Sequence, residues 1–221
     1  LFRSNTISPR WYYNRQEGGW PESFYDEIGL LDVLKKFPND ILDLGVKVGG
    51  LTKKAAADLG LVEGIPVGEG GADAFVGMIG LNVVAAGSIA LITGSSHLVL
   101  GLTENEMHCA GIWGAYPDAV IPGLYLVEGG QTSTGSIVNW FKENYCGNIA
   151  VTAKEQNKKV YDILNEEASK LPVGSEGLVA LDYFQGNRAP HADPDVRGMF
   201  YGLCLKHQPQ HMYRAILESI C

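Results

Sequence analysis

Asp73 follows the Gly70-Gly71 pair at the point where a helical spacing of apolar residues begins. The dipole at a helix start favours the ionised form of a carboxylate, and an ionised carboxylate can take the proton of an alcohol. Further along the chain, Gly94-Ser95-Ser96 offers backbone amides and hydroxyls in a turn that glycine leaves open to close approach. A base and a set of phosphate donors are what phosphoryl transfer to a hydroxyl needs. Gly129, Gly130 and Gln131, after Glu128 and before a helix, form a third candidate, with a helix start available to an anion and glycines that admit a flat base or ribose. Each has a plainer alternative. Asp73 could only cap its helix, and small polar residues are what any hairpin turn uses.

Other chemistries fit less well. No GxSxG elbow surrounds Ser95, Ser96 and His97, and neighbours on a strand point to opposite faces, which argues against a serine hydrolase. GxxxxGK[ST] and GxGxxG are both missing, which removes Walker-type and dinucleotide-binding loops. His207 and His211 have the spacing of a metal pair, but Pro209 stands between them, so they read as surface histidines and no metal ligands are expected. Trp11 reads as rim packing or as a platform on which a sugar could stack.

The elements that must position these residues follow from periodicity. Pro21 to Ile28 reads as a short helix ending at Gly29, and Thr52 caps a helix over Lys53 to Leu59 that stops at Gly60. After the apolar run Ile65 to Val67, helical spacing returns over Ala72 to Gly80. Ser88 to Thr93 and His97 to Leu102 read as a hairpin across Gly94-Ser96, and Ile112 to Tyr116 with Leu124 to Val127 as a second pair. A helix capped by Thr132 or Ser133 carries Ile137, Val138, Trp140 and Phe141, and Lys154 to Lys170 reads as one amphipathic helix. Strand Gly177 to Leu181, a polar loop from Tyr183 to Met199 and a helix from Gln210 complete the pattern.

The 221 residues carry 17 Lys and Arg against 25 Asp and Glu, a net charge of −8, so the basic footprint of nucleic-acid binding is missing. The most apolar stretch, Val83 to Ile92, is about half of the roughly 20 residues a membrane span needs. Glycine supplies 28 of the 221 residues, about 13% against a usual share of about 7%, which points to many turns or close backbone approaches. Four scattered cysteines form no CxxC pair and fit a reduced cytoplasm. The sequence begins at Leu1 and stops at Cys221 inside a helical pattern, as a stretch of something longer would.

In order along most of the chain from Trp11, these segments resemble the FGGY family of carbohydrate kinases. Gly198, Phe200, Gly202 and Leu203, then seven residues, then His211, Met212, Ala215, Ile216, Leu217 and Glu218 fit the family's C-terminal signature. Gly70 to Ala74 is similar to the segment holding the family's catalytic aspartate, Thr93 to His97 to its second phosphate-binding turn, and Glu128 to Gly135 to the segment beside the nucleotide. Gly186-Asn187-Arg188-Ala189-Pro190 matches a family loop. Ala74, His97 and the Glu128-Gln131 form resemble the ribulokinase-like branch; where other branches carry a sugar-holding amide, Ala74 has none.

The resemblance implies an α/β, ribonuclease-H-like (actin-like ATPase) two-domain fold, present as a fragment spanning the domain junction. Residues 1–82 would be the C-terminal part of the first domain and 83–221 the N-terminal part of the second. It also implies ATP and Mg²⁺ as cofactors, a ketopentose such as ribulose or a related polyol as substrate, and Asp73 as base. Gly94, Ser95, Ser96, Gly129, Gly130 and Gln131 would lie at the nucleotide, and Asp73 and Trp11 at the sugar. The family's DxGTxS loop and glycine-rich adenosine motif are not found, so the fragment by itself is expected to be nearly inactive. A non-catalytic binding member of the fold, or a truncated inactive fragment, is the rival expectation. A small-molecule sugar is the expected partner; homodimerisation is left open.

Overall fold

The aromatic residues between Trp11 and Phe37 find one another. In the computed structural model, which describes residues 3–4 and 11–221, Trp20, Trp11 and Tyr25 set their rings 4.6, 5.3 and 5.6 Å from that of Phe37. Such tilted and edge-on pairs add about 0.5–1.5 kcal/mol each beyond the area they bury. The polar handles are used too: the Trp20 indole donates to the Pro38 carbonyl at 3.2 Å, and the Tyr25 hydroxyl to the Trp11 carbonyl at 2.8 Å. Helix α1 (Glu22–Glu27) contributes Tyr25 to this cluster. Strand β1 (Arg3–Ser4) pairs in parallel with β2 (Ile41–Leu42).

Strand β3 (Lys47–Gly50) and β4 (Pro66–Gly68) pair antiparallel on either side of helix α2 (Lys53–Leu59). The ends of α2 are those read from the sequence: the Thr52 hydroxyl accepts from the Ala55 amide at 3.3 Å, and Gly60 closes the helix at φ 67°. The partner strand Lys47–Gly50 escaped the sequence reading, because a Gly-Gly end has no alternation of side chains to betray it. Helix α3 (Asp73–Gly80) buries Ala74, Phe75 and Met78. Strands β5 (Ile89–Thr93), β6 (His97–Thr103), β7 (Trp113–Pro117) and β8 (Tyr125–Gln131) form a sheet in the order β5-β6-β8-β7, with β7 and β8 antiparallel. Both predicted strand pairs are present.

The chain divides into two units, Leu1–Ile92 with Val99–Glu128, and Thr93–Leu98 with Gly129–Cys221. The second unit holds helices α4 (Gly135–Tyr145), α5 (Gly147–Glu155) and α6 (Val160–Ala168), the antiparallel pair β9 (Val179–Leu181) and β10 (Met199–Tyr201), and helix α7 (Pro209–Ile220). Its core gathers Ile137, Phe141, Leu164, Leu178, Tyr213 and Ile216. Fully burying an aliphatic or aromatic side chain is worth about 1.5–3 kcal/mol, so this core, with Ala180 of β9, holds α4, α6 and α7 together.

Three sequence expectations change here. The single helix over Lys154 to Lys170 is two, because Asn157 takes φ 51° between α5 and α6, a left-handed conformation that asparagine tolerates better than most residues. The residue before α4 is Thr134, and neither Thr132 nor Ser133 caps it. Pro209 occupies the first turn of α7, where its missing N–H costs nothing. His211 is accordingly buried, and its Nδ1 accepts from the Gln208 amide at 3.2 Å. It closes the start of α7 and is no surface residue. Among the described residues no helix is long and apolar enough to cross a membrane.

Candidate functional site

In the first unit, Asp73 is the opening residue of α3. Phe75 and Met78 anchor that helix in the core, so the backbone under the aspartate is fixed. The carboxylate itself is exposed, and its Oδ1 accepts from the Ala74 amide at 2.8 Å. One oxygen thus serves the helix start while the group stays exposed to solvent. Trp11 is half exposed, at 49%, with its ring edge against Phe37.

A cavity of about 340 Å³ in the same unit is lined by Tyr12, Tyr13, Glu17, Phe24 and the β7 segment Gly114–Pro117. Neither Trp11 nor Asp73 is among its lining residues. The aromatic loop was visible in the sequence, but its closure by a strand a hundred residues away had no local signal.

In the second unit, the Gly94–Ser96 turn sits against the start of α4. The Ser95 carbonyl accepts from the Thr134 amide at 2.9 Å, the Ser136 amide at 3.3 Å and the Ser136 hydroxyl at 2.9 Å. The Thr134 hydroxyl reaches the Gly94 carbonyl at 3.4 Å. The Thr134 and Ser136 amides at the start of α4 are therefore engaged by the turn itself. Gly94 and Ser95 are exposed, and a Cβ at Gly94 would meet only Ser96 O, at 3.8 Å. A side chain at Gly94 would meet no obstacle closer than that.

Gly130 has a different reason for being glycine: any Cβ there would run into the His97 carbonyl oxygen. At Gly135 a Cβ would stand 2.5 Å from the Gly94 carbonyl oxygen. Gly130 lets the end of β8 close on His97, and Gly135 lets the start of α4 close on the turn, so the candidates Gly94–Ser96 and Gly129–Gln131 lie in one unit. Gln131 hydrogen-bonds the Asp182 carboxylate, yet burial wins and holds Asp182 above its ordinary range. Near the turn, a cavity of about 280 Å³ is lined by Ser133, Ser136, Ile137, Trp140, Phe184 and Gln185. Sequence reading singled out neither Ser136 nor Phe184. Among the described residues no group of three or more His, Cys, Asp or Glu is gathered that could hold a metal ion.

The sequence profile of the FGGY family of carbohydrate kinases, C-terminal domain, matches residues 89–221. The chain belongs to the FGGY family of carbohydrate kinases. An FGGY carbohydrate kinase domain-containing protein of Xenopus laevis is 35% identical over 97% of this chain and 44% of its own length. A ribulokinase of Halalkalibacterium halodurans is 37% identical over 83% of this chain and 33% of its own length. The chain thus spans less than half the length of these relatives. The crystal structure of xylulose kinase from Rhodospirillum rubrum superposes with a TM-score of 0.63 at 29% identity, covering 86% of this chain and 37% of that one. The α/β, actin-like ATPase fold implied by the sequence is the fold of this FGGY chain.

Several FGGY signature residues have structural work here. A Cβ at Gly198 would overlap the Phe184 ring, and one at Gly202, whose φ is 88°, would meet the Gly177 carbonyl. Ala215 and Ile216 lie in the core.

Proposed function

We propose that the protein containing this chain transfers the γ-phosphoryl group of ATP to a hydroxyl of a ketopentose such as ribulose, or of a related polyol. The observation that carries this reading is the Asp73 carboxylate, held by the Ala74 amide at a fixed helix start and open to solvent, in a chain of the carbohydrate kinase family. Asp73 takes the proton of the attacking hydroxyl, and Trp11 offers an aromatic face to the sugar. The exposed Gly94–Ser96 turn receives phosphate oxygens, and Gly129, Gly130 and Gln131 lie beside the nucleotide. Mg-ATP supplies the phosphoryl group and neutralises its charge when bound; the Mg²⁺ arrives on the phosphates. Residues 1–82 belong to the first kinase domain and 83–221 to the second. The four unpaired cysteines suit work in the cytoplasm.

ADP release by the full-length protein with Mg-ATP, measured against D-ribulose, L-ribulose, D-xylulose, ribitol, erythritol and glycerol, tests the reading. Sugar-dependent release is expected, with a fall of about 10²–10⁴-fold in Asp73→Asn, the usual contribution of a positioned acid–base group. Equal activity in the variant would leave Asp73 with only its helix-start bond. Binding of ATP without release on any of these acceptors would favour a non-catalytic binding member.

A further inference from the structure

The Ser95 carbonyl is the best-held group of the Gly94–Ser96 turn, with donors from the Thr134 amide and from both the amide and the hydroxyl of Ser136. The Gly94 carbonyl is turned the same way, toward Thr134 and Gly135. The peptide bonds joining Gly94, Ser95 and Ser96 are trans, and in a trans peptide the N–H points opposite to the C=O. The amides of Ser95 and Ser96 therefore face away from α4, side by side.

Ser136 cannot itself serve an anion. A hydroxyl has one proton, and that of Ser136 goes to the Ser95 carbonyl at 2.9 Å, so the short contact with the Ser133 hydroxyl is one in which Ser133 donates. Its hydrogen-bond donation is spent inside the protein.

We propose that Ser136 is a positioning residue: by holding the Ser95 carbonyl against the start of α4, it aims the Ser95 and Ser96 amides at a polyphosphate group. This rests on the kinase reading above. The side chain acts through the turn and touches no reactant.

The test uses the full-length protein with Ser136→Ala and Ser136→Thr, titrated calorimetrically with inorganic tripolyphosphate and with adenosine, and assayed for ADP release. Losing one hydrogen bond to a positioned carbonyl should weaken tripolyphosphate binding and raise the KM for ATP by about fivefold, with adenosine affinity and the KM for sugar within about twofold of wild type. Ser136→Thr should restore both, since its added methyl has the cavity beside Trp140 to enter. If Ser136→Ala does not fold, Ser136→Cys, close in size but a weak donor, replaces it with the same readings. A wild-type tripolyphosphate affinity in the variant overturns the proposal, as does an equal loss of adenosine binding, which marks general loosening. Wild-type protein that binds tripolyphosphate but phosphorylates nothing fails the kinase reading alone; the effect of Ser136→Ala on that binding still decides the positioning role.

Discussion

Gly94 in the turn and Gly130 against His97 are glycine for opposite reasons. At Gly130 the protein's own backbone fills the place of a side chain, because the His97 carbonyl stands where a Cβ would go. At Gly94 the place is open and φ lies outside the left-handed range, so the fold makes no steric demand there. Gly130→Ala should accordingly destabilise the protein by about 1–3 kcal/mol, the usual cost of overpacking, seen as a lower melting temperature. Gly94→Ala should leave the melting temperature unchanged and weaken tripolyphosphate binding instead, because a methyl group would crowd an approaching phosphate. A melting temperature lowered equally in both would mean that Gly94 is also structural.

At the scale of elements, most helix ends were legible and one break was not. Thr52 and Gly60 mark α2 by residue type alone, since capping and the left-handed stop are local requirements. The division between α5 and α6 depends on Asn157 at φ 51°, and nothing in Gln156-Asn157-Lys158 forces it: both helices are amphipathic and would read continuously. In the structure the turn at Asn157 is closed by backbone hydrogen bonds, the Lys158 amide donating to the Ala153 carbonyl at 2.9 Å and the Asn157 amide to the Lys154 carbonyl at 3.2 Å. Replacing Asn157 by Gly should hold or raise stability, whereas Asn157→Val should cost about 1–2 kcal/mol, the penalty of a left-handed conformation for a residue with a full Cβ. Urea denaturation of the two variants checks the sign. If valine were neutral, the break would be set elsewhere.

Over the whole molecule, the four cysteines sort by burial. Cys146 lies in the second unit's core at 1% exposure, and burial pushes its thiol above the ordinary range; Cys109, Cys204 and Cys221 are exposed. Iodoacetamide under native conditions should label those three and spare Cys146, with all four labelled in denaturant, as mass spectrometry of peptides would show. Labelling of native Cys146 at the rate of the others would mean that the core around Phe141 and Ile216 opens readily.

Residue types alone set out the Gly94–Ser96 hairpin, the β7–β8 pair and the helix beginning at Asp73, because turn, cap and alternation are local constraints written in neighbouring residues; the signature near the C-terminus rests on resemblance to the family. What local pattern could not carry was any contact across a long stretch of chain. The docking of Ser95 on Ser136 joins residues 41 apart, and the aromatic cavity joins Tyr12 to Tyr116. His211 has the spacing of a surface residue, and only the fold buries it with its ring at the Gln208 amide. The sequence thus determined which residues could do chemistry and which elements bear them. Tertiary structure decided which of them meet and which way their amides face, since direction and proximity arise only when distant backbone segments close on one another.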